Sequence, residues 1–209
     1  MSVLEHPIIP VIEIEDAEHA VPLADALTAG GIGCAEITLR TDAGLAAIRA
    51  IATHRPDFEV GAGTVIESAQ VAEVTEAGAR FVVSPGLDLD VVDASRAAGV
   101  VAIPGVATAT EIQRAARQGL THLKLFPAGV LGGPALLKAL GGPFPGIRFL
   151  PSGGVNAQTI AEYAALTNVF AVSGSWMASR SLIAAGDTGV ITRLSAAAVG
   201  AYRSASERA

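Results

Sequence analysis

The chain has 209 residues, a length that suits one domain able to bury about 70% of the surface its unfolded form exposes. Charged residues make up only 16% and mean hydropathy is +0.49, yet no apolar run approaches the roughly 18 residues a membrane span needs. The net charge is −6, and the twelve arginines and two lysines are scattered, so there is no basic footprint for nucleic acid.

The first residues, MSVLEHPIIPVIEIED, lack the basic, then apolar, then small-residue order of a secretory signal. Ile8–Ile14 is the first apolar, β-branched run and predicts a strand, followed by helical spacing over Ala17–Thr28. The alternation then continues. Strands are predicted at Cys34–Leu39, Phe58–Ala62, Phe81–Ser84, Val100–Ile103, His122–Phe126, Arg148–Leu150 and Phe170–Ser173. Helices fall between them at Asp42–His54, Ser68–Ala77, Asp88–Ala97, Thr108–Gln118, Pro134–Leu140 and Ala157–Ala165, with a last one after Asp187 and a tail, ASERA, expected to fray. Cys34, the single cysteine, excludes an intrachain disulfide and fits a reducing cytoplasm.

A degenerate repeat runs through the middle: AGARFVVSPG, AGVVAIPG and QGLTHLKLFPAG each end a helix on glycine, cross a short strand and reach a proline. Glycine suits the left-handed turn that ends a helix, and proline suits the point where ladder pairing stops. Eight strand-plus-helix units nearly fill residues 1–209 as one domain. This favours an α/β fold of the (β/α)8 TIM-barrel type over an open doubly wound sheet, although periodicity cannot see closure.

Barrel enzymes hold their chemistry at the C-terminal ends of the strands, so a charged side chain late in an apolar strand carries information. In A-E-I-T-L-R, Glu36, Thr38 and Arg40 share one parity, and Ile37 and Leu39 the other. In T-H-L-K-L-F the same alternation groups His122, Lys124 and Phe126. A lysine held among apolar groups and near a cation such as Arg40 can present a free amine able to attack a carbonyl. Read alone, Lys124 is as well explained by a snorkelling edge lysine, and Glu36 with Arg40 by a structural ion pair.

Two glycine-rich segments follow strands. P-S-G-G at Pro151–Gly154 and S-G-S-W at Ser173–Trp176 place Ser152, Gly153, Gly154, Gly174 and Ser175 where barrels of this kind bind phosphate on backbone N–H groups. G-A-G-T at Gly61–Thr64 lacks the third glycine and the acidic partner of a dinucleotide site. The four histidines show no metal-ligand spacing, so neither metal nor cofactor is expected.

These residues resemble the 2-keto-3-deoxy-6-phosphogluconate (KDPG) and 4-hydroxy-2-oxoglutarate (KHG) aldolases, class I enzymes on a (β/α)8 barrel. Seven ordered segments carry the resemblance: E-I-T-L-R, G-A-G-T, S-P-G at Ser84–Gly86, I-P-G at Ile103–Gly105, K-L-F-P-A at Lys124–Ala128, P-S-G-G and G-S-W. The resemblance implies Lys124 as the Schiff-base lysine, Glu36 as general acid and base, and Arg40 and Thr64 as binders of the pyruvate carboxylate. It also implies Pro85 and Phe126 against the substrate, Ser152, Gly153, Gly154, Gly174 and Ser175 around a distal phosphate, a 2-keto acid substrate with pyruvate as product, and a homotrimer. Three positions depart from the pattern. Gly129 stands where many members have glutamate, Ser152 where threonine is frequent, and Glu13 where some relatives have an arginine near the substrate's far end. An anion at Glu13 facing the lumen would repel a phosphate. A 2-dehydro-3-deoxy-6-phosphogalactonate aldolase or a lyase for a non-phosphorylated 2-keto acid is the nearest alternative. A metal-dependent aldolase with Glu36 as ligand, a phosphate-binding barrel isomerase and a non-catalytic binder of small acids are the other competing readings.

Overall fold

The computed structural model describes residues 2–208. Its strands are β1 (Val11–Ile12), β2 (Cys34–Thr38), β3 (Glu59–Gly63), β4 (Phe81–Val83), β5 (Val101–Ile103), β6 (Gly105–Val106), β7 (His122–Leu125) and β8 (Arg148–Pro151), and every pairing among them is parallel. Two ladders result, β1 to β5 and β6 to β8. They form one closed wall. β5 and β6 are a single stave interrupted at Pro104, whose carbonyl accepts the Lys124 N–H at 2.9 Å. Residues 169–173 fill the remaining gap by isolated parallel bridges, Phe149 to Val169, Ser152 to Ser173 and Ile8 to Val172. Eight staves therefore close a barrel.

Two predicted strands differ in form. Phe170–Ser173 and most of Ile8–Ile14 pair only at bridges, because the closing seam is short and its amides bond at alternate residues, as in Val172 N–H to Pro7 and Val11 N–H to Gly174. Pro104 does not end its stave. It has no N–H to lose there, and pairing shifts from β4 on one side to β7 on the other.

The alternation read from the sequence divides the interior in two. Cys34, Phe81, Val83, Ile103 and Leu150 point inward and form the barrel core with Ile9 and Ala171. Ala35, Ile37, Val82, Leu123, Leu125 and Phe149 point outward and pack under the helices. Gly78, Gly99 and Gly119 end helices at φ of 102°, 72° and 75°, the left-handed conformation that the repeat requires.

The N-terminal end of the lumen is plugged. Val3 sits fully buried in the barrel core, its N–H donating to Glu59 Oε1 at 2.9 Å, while Glu59 Oε2 lies 3.2 Å from His6 Nε2. Access to the lumen is thus left to the opposite end, where the loops after the strands gather.

The helices follow the predicted order: α1 (Ala20–Ala29), α2 (Gly44–His54), α3 (Ser68–Glu76), α4 (Leu89–Ala97), α5 (Ala109–Arg117), α6 (Gly133–Gly141), α7 (Ile160–Ala164), α8 (Arg180–Ala184) and α9 (Thr188–Ser206). α8 is an addition that the sequence reading missed. The tail also differs from expectation, because α9 continues to Ser206 with Ala205 buried against the core; Ala209 lies outside the described residues. No described helix is long and apolar enough to cross a membrane.

Cys34 is fully buried, its Sγ 3.3 Å from the Ile8 carbonyl, and burial, then the nearby Glu59, pushes the thiol well above its usual range. Because the folded value is raised, this group's contribution to stability is intact below the unfolded thiol's value of about 8.5 and declines as pH rises above it. At pH 8 a disulfide reagent is therefore expected to titrate no thiol in the folded protein and one in denaturant; rapid reaction of the native protein would contradict this packing.

Candidate active site

Lys124 reaches the lumen because the parity of β7 turns it away from Leu123 and Leu125. It is 4% exposed, and Glu36 on β2 is wholly buried. Their side chains meet, with Lys124 Nζ 3.1 Å from Glu36 Oε1 and 3.5 Å from Oε2. The edge-lysine reading fails here, since the amine is enclosed and contacts a carboxylate. The Phe126 ring lies beside them, its centroid 5.5 Å from the amine.

Small residues make the space. An added methyl group at Gly63 would collide with the Glu36 carboxylate, and one at Gly61 with the Phe81 ring. The G-A-G segment is therefore not a nucleotide cradle; its two glycines face inward and leave room for side chains from β2 and β4. Thr64, the next residue, holds φ at +60°, a conformation that a β-branched residue adopts only when its surroundings impose it.

Arg40, Phe126, Ser152, Gly153, Gly154, Gly174 and Ser175 line one cavity of about 160 Å³ together with Val11 and Val155, and Phe126 is its link to the amine. Among the described residues, the backbone N–H groups of Gly153, Gly154, Gly174 and Ser175 donate to no protein acceptor. Gly153 and Gly154 have φ of 83° and 93°. Unpaired amides gathered around one cavity suit an anion. Gly129 packs this loop closely, its N–H donating to the Gly153 carbonyl at 2.8 Å and its Cα facing Gly154.

Four predicted residues stand apart from that cavity lining: Lys124 and Glu36, which are buried inside the barrel, and Thr64 and Pro85. Thr64 and Pro85 sit on the loops after β3 and β4 at the same end of the barrel, and the Pro85 carbonyl abuts Gly105. Arg40 is also differently engaged than expected. Its guanidinium contacts Glu13 at 3.7 Å and is 46% exposed, so the charged neighbour of the amine is Glu36. His122 sits half-buried, edge-on to Phe170 at 4.9 Å, and burial followed by Arg148 holds its pKa below the usual imidazole range.

The sequence reading missed Arg180. It lies on α8, its Nη1 2.9 Å from Glu13 and its Nη2 on Glu15, and it faces Arg40 across a neighbouring cavity. Ser179, whose hydroxyl accepts the Leu182 N–H, was the available signal. Among the described residues no group of three or more His, Cys, Asp or Glu side chains could hold a metal ion.

A family model described as KDPG and KHG aldolase matches residues 2–194. The chain belongs to that family and is an aldolase-type lyase. It is 49% identical over 193 residues to the 2-dehydro-3-deoxy-phosphogluconate aldolase of Pseudoalteromonas atlantica, covering 92% of this chain and 90% of the relative. It is 45% identical to the KHG/KDPG aldolase of Escherichia coli K12, over 92% and 91% of the two chains. A crystal structure of the Legionella pneumophila KDPG aldolase, with pyruvate captured at low pH as a covalent carbinolamine, superposes with a TM-score of 0.90 at 42% identity, covering 93% of this chain and 95% of that one.

The Gly63 contact yields a direct test. Gly63→Ala is expected to cost about 1–3 kcal/mol in urea unfolding, as overpacking does, and to lower turnover beyond that by displacing the Glu36 carboxylate. Unchanged stability and turnover would contradict the packing.

Proposed function

We propose that this chain is a class I aldolase that cleaves a 2-keto-3-deoxy-6-phospho sugar acid of KDPG type to pyruvate and glyceraldehyde 3-phosphate. The observation that carries the reading is the buried contact of Lys124 Nζ with Glu36 at 3.1 Å, an amine and a proton carrier in one enclosed space.

Lys124 Nζ adds to the C2 carbonyl, and Glu36, directly or through a water, moves the protons that turn the carbinolamine into an iminium with loss of water. Glu36 then takes the proton of the C4 hydroxyl. The electron pair of the breaking C3–C4 bond flows into the iminium, the aldehyde leaves, and the remaining enamine is protonated at C3. Water hydrolyses the resulting iminium, releasing pyruvate and the free amine. Arg40 and Thr64 hold the keto acid carboxylate, Pro85 and Phe126 bound the reacting carbons, and the amides of Gly153, Gly154, Gly174 and Ser175 with the Ser152 and Ser175 hydroxyls hold the phosphate. The chemistry calls for no metal or cofactor.

The anion expected at Glu13 is offset by two arginines, Arg40 and Arg180, which supports a phosphorylated substrate. The KHG/KDPG name of the Escherichia coli relative supports 4-hydroxy-2-oxoglutarate as a second substrate. We further read residues 1–209 as one barrel domain working in the cytoplasm, in the Entner–Doudoroff pathway, as a homotrimer.

Pyruvate release from KDPG is expected to continue in chelator, to fall roughly a hundred- to ten-thousand-fold in Glu36→Gln and to vanish in Lys124→Ala. Normal turnover by Lys124→Ala, or loss of activity in chelator, would overturn the proposal.

A further inference from the structure

Arg180 and Glu13 are not used by the chemistry above, yet they stand at its exit. The cavity of about 160 Å³ beside Phe126 shares Val11, Arg40 and Ser175 with a larger one of about 400 Å³, whose other walls include Glu13, Arg180 and Ser181. The two are one groove. It runs from Phe126, beside the buried amine, past the unpaired amides of the glycine loops to the guanidinium of Arg180.

We propose that Arg180 is a specificity-determining residue for the phosphorylated substrate, held over the groove by Glu13 and Glu15 and turned to the distal phosphate when that arrives. The inference rests on the aldolase reading. Charge favours it. Without Arg180 the outer groove would carry Glu13 against Arg40, with no net positive charge to meet a dianion; with it the three side chains leave one positive charge over.

Exchange is easy at this position. Arg180 is 55% exposed, and exposed ion pairs are weak and screened by salt, whereas a guanidinium with five donors can serve a phosphate while keeping one carboxylate. Glu13, at 23% exposure and between two arginines, acts as the tether. Arg180 opens a five-residue helix after the last stave, so its side chain can turn toward the groove without moving the barrel.

The test compares KDPG with 2-keto-3-deoxygluconate, the same carbon chain without the phosphate. In Arg180→Gln the ratio of kcat/KM for the phosphorylated over the unphosphorylated acid is expected to fall about tenfold, the loss falling on KM, with Arg180→Lys recovering part of it. In Glu13→Gln, which loosens the tether, the same ratio is expected to rise. A ratio unchanged in Arg180→Gln, whether both activities hold or both drop together, would overturn the assignment. Failure of the wild-type protein to cleave either acid would instead overturn the aldolase reading.

Discussion

An amine and a carboxylate in contact inside a closed barrel are the constraint on which the rest of the molecule depends. Removing either partner of a buried pair leaves the other uncompensated, a loss of about 3–5 kcal/mol where it has been measured. Such a pair contributes little net stability over apolar packing, so its presence points to chemistry. Much of the architecture follows from housing it: Gly63 left small so that Glu36 fits, Gly61 left small for Phe81, and Val3 sealing the other end of the lumen.

The same residue types play a different part at the rim. Arg40, Arg180, Glu13 and Glu15 are also paired, but in solvent, where each contact is worth at most about 1 kcal/mol. Interior and rim thus divide the labour. Charges in the lumen are fixed by the wall of the barrel, and those outside can exchange partners with an arriving anion. Between the two lie the backbone amides of the last two loops, whose positions are set by Gly153 and Gly154 at positive φ and by Gly129 packed beneath them.

Much of this was legible in the sequence because strand parity is strict. A-E-I-T-L-R and T-H-L-K-L-F each separate an inward polar set from an outward apolar one, and the structure divides its two cores along that line. The seven family segments brought the site residues to one end of the barrel, although Lys124, Glu36, Thr64 and Pro85 lie outside the cavity lining. Closure was not legible, since it depends on single bridges at Ile8, Val169 and Ser173 that leave no periodic trace. Arg180 was missed because five residues are too few for a helical pattern. The charge of Arg40 was assigned to the amine because one-strand reasoning cannot see Glu13 across the groove.

Reduction with borohydride in the presence of pyruvate, followed by peptide mapping, tests the central claim most directly. The account predicts one pyruvate-derived adduct, on Lys124, with Lys138, the only other lysine, unmodified. An adduct on Lys138 or on the N-terminal amine instead, or none at all from active protein, would contradict it.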